Sequence, residues 1–521
     1  MGSTLNYQEL NIKKYINFLE RNSNEKFANE IEILLRLEYS VNNYQNVSID
    51  KRHSILEEIF QHYKDFVECS INETQKEWQE LGINKLNIIH EDSFHKQIYL
   101  NDSNLKNSAN ILNQLIEHLK PLDYNYLLKE HVNYFFNENY NNQEQVGILE
   151  FYTKWKESKY LKQSIVADFQ KAYYKELSKT IEGTINQEEV NIRLNDLPKW
   201  RNDNTQSTKN NVFSYGAYVQ TDKEKTYVNG LHAGFGQPFA KYATQDIPLQ
   251  DSINQWNKKA LKNVALIECS DSIYNNICRH SPICENELIV PDSFSNSTKS
   301  FIKFDDLYLK YNVQTENVEM KNKVSGKTVH PLIMDMLSDN SRSDFINFIY
   351  AFGPSNRILY NSIIEVVDRK FIKKGKPNKI KVFPRIVIED NLVIRRKTWR
   401  VPVLYIPRKK SNETINEYFL NLNLWRTRHD LPKEVFIKVA GKENIKKDQP
   451  KNVNNLKEHD YKPLYISFSN IFLVQLFEKE IRKSPGEITL TEVKPELTKE
   501  NYNDGFVKEY VIQWYNFADE K

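Results

Sequence analysis

Between Arg369 and Arg385 the chain places Arg369, Lys370, Lys373, Lys374, Lys376, Lys379, Lys381 and Arg385, with no acidic residue among them. Cations grouped in this way neutralise phosphates and release counterions, so an RNA backbone is the ligand this run could take. A solvated, lysine-rich surface loop would have the same composition, and Gly375 and Pro377 read as a loop at its centre. Just beyond, Arg395-Arg396-Lys397-Thr398-Trp399-Arg400 adds an aromatic that could stack on a base.

A second group is Gly230-Leu231-His232-Ala233-Gly234-Phe235-Gly236, followed by Lys241-Tyr242. Glycines after a strand can turn backbone N–H groups towards an anion, but they also serve bulges and close backbone approach. The spacing matches neither the phosphate-loop nor the dinucleotide fingerprint. A third group is Cys269, Cys278, His280 and Cys284, at spacings of nine, two and four. These are not the paired Cys-x-x-Cys knuckles of structural zinc, and thiols on strands are usually small buried hydrophobes, so no metal is expected.

The elements that would hold these groups follow from periodicity. Leu10, Ile16, Leu19, Ile31, Leu34, Leu35 and Leu37 recur at helical spacing, as do Ile55, Ile59, Phe60, Tyr63 and Phe66, and later Ala109, Leu112, Leu115, Ile116 and Leu119. From about residue 210 the period shifts from 3.6 to 2. Val212 to Gln220 and Thr226 to His232 read as a hairpin around Asp222-Lys223-Glu224-Lys225. Leu261 to Cys269 and Glu285 to Ile289 read as further strands, and His330-Pro331 reads as the lead into a helix. Near the C-terminus, Thr414 and Glu417 have capping-box spacing, Pro432 closes that helix, and Val435, Ile437 and Val439 alternate as a half-buried strand. Asn470 opens a helix through Phe472, Leu473, Leu476 and Phe477, and Ile488 to Leu490 forms a last strand. The class is α+β: a mostly helical region over 1–185, a mixed or antiparallel β-rich region over 186–410, and a small α/β module over 411–521.

That C-terminal module carries a resemblance. Trp425-Arg426-Thr427-Arg428-His429-Asp430-Leu431-Pro432 resembles the end of the glutamylation domain of lantibiotic dehydratases, as do Lys462-Pro463-Leu464-Tyr465-Ile466-Ser467-Phe468 and Thr491-Glu492-Val493-Lys494-Pro495. Tyr134 to Glu150 resembles the family's Phe-rich helix end and the run after it, departing at Asn141 and Gly147. Members of the family use glutamyl-tRNA to esterify Ser and Thr of a precursor peptide, and glutamate is then eliminated to leave a dehydroamino acid. By order along the chain, Asn276 and Arg279 resemble an Asn…Arg element implicated in glutamylation, and Asp92 resembles an aspartate facing that site. A guanidinium suits an oxyanion, a glutamate carboxylate or a phosphate. The alternatives are a strand-edge ion pair of Arg279 with Glu285 or Glu287, and a cap at Asp92. The resemblance also implies that His232, Gly234, Gly236 and Lys241 line the cleft, and the charge pattern makes Arg369, Lys370, Lys373, Lys374, Lys376, Lys379 and Lys381 the residues that would meet tRNA.

Composition bounds this reading. The chain has 521 residues, 72 basic against 69 acidic, a net charge of +3, 40% hydrophobic residues and 12% aromatics. That is ample for packed cores and gives no global nucleic-acid signature, so an RNA contact must be local. No run approaches the ~18 apolar residues of a spanning helix, and four cysteines form no disulfide framework, so a cytoplasmic protein is expected. Hydrolase, zincin and P-loop motifs are absent. So is the Arg-x-Thr-Pro-Phe-Gly signature that full-length relatives carry, and the chain stops soon after Pro495, where relatives continue into an elimination domain. The resemblance therefore implies a split enzyme with glutamyl-tRNA as co-substrate and no cofactor. It would need a protein carrying the missing N-terminal region, a separate elimination protein and the precursor peptide, with self-association as a further expectation and no membrane insertion. A peptide aminoacyl-tRNA ligase-like protein and a non-catalytic scaffold for precursor peptide are the alternatives.

Overall fold

The computed structural model describes residues 12–23, 27–44, 46–71, 103–119, 122–141, 144–158, 165–182, 189–198, 213–243, 246–262, 264–269, 280, 282–288, 300–336, 342–354, 361–374, 379–439, 463–484, 486–498 and 507–516. The helical opening is as the periodicity predicts. α1 (Ile12–Ser23), α2 (Ala28–Tyr44) and α3 (Ile49–Ile71) bury Ile16, Leu19, Ile31, Leu34, Leu37 and Ile59 against one another. α4 (Ser103–Leu119), α5 (Tyr124–Asn139), β1 (Val146–Gly147), α6 (Ile148–Lys156) and α7 (Ile165–Glu182) complete this half. Among the described residues no helix is long and apolar enough to cross a membrane.

β2 (Glu189–Ile192) precedes the expected hairpin, β3 (Phe213–Thr221) and β4 (Thr226–Ala233), which pair antiparallel from Thr221↔Thr226 to Tyr215↔Ala233. Asp222 closes the turn by accepting from the backbone N–H of Glu224 and Lys225 at 2.9 and 2.7 Å, an Asx turn of the kind its residue types favour. α8 (Ala240–Ala243) and α9 (Ile247–Ala260) follow. Then come β5 (Ala265–Cys269), β6 (Asn286–Leu288), β7 (Ser300–Ile302), β8 (Leu307–Asn312), β9 (Asn317–Asn322) and β10 (Val329–Leu332). β10, β5, β6 and β7 form a parallel sheet in that order, and β1, β8 and β9 an antiparallel one. His330-Pro331 therefore lies in an edge strand, with Pro331 opposite Ile267, and Met334 after it is not helical, whereas Phe345, Phe348 and Ile349 further on do lie on a helix. An edge position is where a strand tolerates a residue without an N–H.

α10 (Asp344–Ile349), α11 (Asn361–Lys374), β11 (Lys381–Phe383), β12 (Arg385–Ile388), β13 (Leu392–Arg395), β14 (Thr398–Pro402), α12 (Ile415–Arg428), β15 (Glu434–Val439), β16 (Leu464–Ser467), α13 (Ile471–Lys483), β17 (Glu487–Glu492) and β18 (Tyr510–Asn516) complete the chain. The Thr414 capping box is formed: the Glu417 N–H donates to Thr414 Oγ1, and the Thr414 N–H donates to Glu417 Oε2 at 2.7 Å. Asn470 caps α13 by accepting from Phe472 and Leu473 N–H. Phe472, read as an apolar-face residue of that helix, is instead 75% exposed, and Val474, Phe477 and Ile481 make the buried face.

Two larger sheets organise the whole. The six-stranded sheet runs β18-β3-β4-β13-β12-β2 and the five-stranded sheet β11-β14-β17-β15-β16. α4, α7 and α11 cover the first through Leu112, Leu115, Leu177, Ile181, Ile363 and Val367, which meet Ala217, Val219, Ile386 and Leu392. Each such side chain, when fully buried, contributes about 1.5–3 kcal/mol of transfer free energy. α12 and α13 pack on the second through Tyr418, Leu422, Val474 and Phe477. Sheet membership does not follow the expected region limits at 185 and 410. β11 and β14 belong with the C-terminal strands, whereas β18 returns to the middle sheet.

Candidate functional site

The two ends of the basic run are regular structure, and the loop expected at its centre, Gly375 to Pro377, lies outside the described residues. Arg369 and Lys370 lie on α11, which extends to Lys374. Lys370 Nζ donates to Ser178 O at 2.7 Å and ties α11 to α7, while Arg369, 62% exposed, pairs with Glu365 at 3.4 Å. Lys381 on β11 stands directly across from Arg400 on β14. Side chains of cross-strand partners share a face, so two cations from separate segments are brought together there. Arg400 lies over the Phe383 ring at 4.8 Å and its Nη2 is 3.9 Å from Asp368 of α11. Asp368 also accepts from Arg395. Burial lowers the Arg395 pKa against the opposing pull of Asp368. The result is a ridge in which Lys381 and Arg400 stand side by side, Asp368 of α11 lies next to Arg400, and exposed Lys379 precedes the strand. The Lys373 and Lys374 side chains and all of Lys376 lie outside the described residues.

Two neighbours of the ridge are structural. Trp399, read as a stacking surface for a base, is 3% exposed and packs with Val401, Val435 and Leu490 in the core of the five-stranded sheet. The signal was present in the sequence: Trp399 and Val401 alternate with Thr398 and Arg400, so a strand turns both inward. Arg385 is held by Glu492 and Glu189, and the hydrogen bonds it donates to Glu492 are the main reason its pKa is raised.

The glycine turn has backbone donors, but the fold itself uses them. The Gly234 N–H donates to Ser214 O at 3.0 Å, Phe235 N–H to Ser214 Oγ at 3.0 Å, Gly236 N–H to Gln513 Oε1 at 2.8 Å and Gln237 N–H to Gly234 O at 3.1 Å. A side chain at Gly234 would put its Cβ 2.1 Å from Ser214 Oγ and 2.3 Å from the Ser214 backbone. Gly236 has φ +103°, and a Cβ there would lie 2.5 Å from Ile253. Both glycines are buried, and close approach, the second of the two sequence readings, is what this turn is made for. His232 lies on β4, half-buried with its ring edge-on to Tyr218 at 5.1 Å, and burial lowers its pKa. Lys241 sits on α8 next to the turn.

One constellation was missed from the sequence. Glu268, at the end of β5 and 1% exposed, accepts from His280 Nε2 at 2.5 Å, Ile283 N–H at 2.7 Å and Cys284 N–H at 3.2 Å. A carboxylate inside the apolar strand Ala265–Cys269 was the signal that such a partner set must exist. Cys269 and Cys284 are buried thiols, and burial pushes Cys269 well up. Asn276, Arg279, Cys278 and Asp92 lie outside the described residues.

In sequence, no protein-family model and no curated protein matches the chain. Its fold does match solved structures. The glutamylation domain TbtB, from thiomuracin biosynthesis and bound to 5'-phosphodesmethylglutamycin, superposes on 80% of this chain with a TM-score of 0.56 and 17% identity. A second structure of that domain gives a TM-score of 0.54 at 17% identity over the same 80%. The tRNA-dependent lantibiotic dehydratase MibB from Microbispora sp. 107891 matches 93% of this chain with a TM-score of 0.57 and 12% identity. The chain spans 50% of the TbtB chain and 45% of the MibB chain. This chain therefore shares its fold with the TbtB glutamylation domain and with the lantibiotic dehydratase MibB.

Proposed function

We propose that the chain is a component of a glutamyl-tRNA-dependent enzyme that glutamylates Ser and Thr of a precursor peptide in lanthipeptide-type biosynthesis. The observation that carries this reading is the fold shared with a glutamylation domain over 80% of the chain and with a tRNA-dependent dehydratase over 93%. In the reaction, a Ser or Thr hydroxyl attacks the ester carbonyl carbon of the charged tRNA, an oxyanion forms, and the ribose hydroxyl leaves. The protein's task is to hold the hydroxyl and the ester at near-attack distance and stabilise that oxyanion. Asn276, Arg279 and Asp92 are proposed for the reacting centre. The ridge of Arg369, Lys370, Lys379, Lys381 and Arg400, with Lys373, Lys374 and Lys376, is proposed for the tRNA backbone. A protein supplying the Arg-x-Thr-Pro-Phe-Gly region and a separate elimination protein are proposed as partners.

Binding of tRNA to the purified chain tests the ridge. Each phosphate neutralised contributes about 0.9 to the log–log salt slope on a duplex. Replacing Lys379, Lys381 and Arg400 with Gln should weaken binding and lower the slope by about 2 to 3 if each makes one contact. An unchanged slope would make the ridge ordinary solvated surface.

A further inference from the structure

α9 presents an exposed tryptophan that the fold holds rigidly. Its buried stripe is Ile253, Asn257 and Ala260. Trp256 and Lys259, three residues apart, lie at the edge of that stripe, where such pairs meet. The Trp256 indole stacks on Tyr515 of β18 at 5.9 Å and 20°, and Tyr515 meets Phe235 edge-on at 5.8 Å. Asn257 locks this ladder. Its Nδ2 donates to Phe235 O at 2.8 Å, and its Oδ1 accepts from the Tyr515 hydroxyl at 2.7 Å. Gln513 donates to the same hydroxyl at 3.1 Å while accepting from Gly236 N–H at 2.8 Å.

The outer rung of this ladder is open to solvent: Trp256 is 45% exposed. Lys259 Nζ stands 4.9 Å from its ring centroid, and Lys258, Lys259 and Lys262 are all exposed along the end of the helix. Lys258 is paired with Glu285. A large apolar ring costs solvation when left in water, and a fixed ring loses little entropy on binding. An immobilised aromatic flanked by lysines is the combination that binds unpaired nucleotides, the ring taking a base and the cations its phosphates.

We infer that Trp256, with Lys259 and Lys262, is a stacking subsite for an unpaired base of an RNA strand. This rests on the tRNA-dependent reading and deepens it, because the strand in question would be the unpaired end of the charged tRNA. On binding, a base displaces the Lys259 ammonium from the indole face, and the ammonium moves to the neighbouring phosphate. A peptide is the rival occupant, and the lysines favour the polyanion.

The test is fluorescence anisotropy of the full chain with a short labelled single-stranded RNA and a duplex of equal length. Trp256→Ala should weaken single-strand binding about tenfold, within the range for loss of one base–aromatic stack. Trp256→Phe should stay within a few-fold of the parent, and duplex binding should hardly change. Lys259→Gln with Lys262→Gln should lower the single-strand salt slope by about 0.7 per lost contact. Melting curves matching the parent would show that the variants fold. Single-strand affinity within twofold of the parent in Trp256→Ala overturns the subsite. So does a parent chain that binds no single strand, or a Trp256→Ala chain that loses precursor peptide but keeps RNA. Trp256-dependent strand binding without any glutamyl transfer by the assembled system would instead overturn the glutamylation reading and leave the subsite standing.

Discussion

Arg385 on β12 grips Glu492 on β17 through both carboxylate oxygens, Nε to Oε1 at 2.8 Å and Nη2 to Oε2 at 2.7 Å. Its third nitrogen, Nη1, reaches Glu189 on β2 at 3.1 Å. One guanidinium thus fastens the five-stranded sheet to the six-stranded one, with side-chain exposures of 21% for Arg385 and 9% for Glu492. Arg385→Met should lower unfolding stability by about 3 kcal/mol, because it strands a largely buried carboxylate. Arg385→Lys should recover only part, since an ammonium lacks the planar fork. Denaturant titration measures both. A loss under about 0.5 kcal/mol for Arg385→Met, the size of an exposed pair, would contradict the fastening role.

The glycine turn gives a paired prediction. Gly234→Ala meets Ser214 backbone at 2.3 Å and should melt far below the parent or fail to fold, and Gly236→Ala should be strained by its φ of +103° as well as by Ile253. Gly486→Ala has no atom within 4 Å of the added Cβ and should be neutral or gain a few tenths of a kcal/mol. Thermal melts of the three variants check this. Equal melting of Gly234→Ala and Gly486→Ala would show that the close approach does not constrain the fold.

Acid sensitivity should come in part from His330 on β10. Burial, and after it the Lys129 charge, push this imidazole from 6.5 down to about 3. The folded state therefore binds its proton less readily than the unfolded chain. Its share of stability is intact above pH 6.5 and is lost as pH falls towards 3, with a limiting slope of about 1.4 kcal/mol per pH unit. His330→Gln should flatten the pH dependence of the melting temperature in that window and leave it unchanged above pH 7. Identical acid slopes in parent and variant would assign the effect to other groups.

The parts of this structure legible in the sequence are the local ones. The Thr414–Glu417 box, the Asn470 cap and the Asp222 turn each depend on residues within four positions of one another, and each formed as read. Sheet partnership was not legible. β2 pairs parallel with β12 across nearly 200 residues, and β18 returns beside β3. No short-range pattern encodes that choice, which rests on which apolar faces meet after collapse. For the site, the basic run could be read as charge, but the ridge depends on the Lys381↔Arg400 register, which composition does not contain. Trp399 was misassigned because an aromatic among cations was read by its neighbours in sequence instead of by strand alternation. Trp256 went unremarked because its exposure follows from the burial of Asn257, a polar residue on the inner face of its helix.

Mass spectrometry of the precursor peptide tests the central claim most directly. The purified chain would be incubated with glutamyl-tRNA and the cognate peptide, with and without the products of neighbouring genes. Under the proposed split arrangement, glutamyl additions to the peptide should appear with the complete set and be absent with the chain alone, since an incomplete set of reacting groups loses most of its rate. In the complete set, Arg279→Lys should cut the additions by about two to three orders of magnitude, the usual cost of one oxyanion donor. Additions by the chain alone would contradict the split arrangement. No additions even with every neighbour present would contradict the glutamylation role itself.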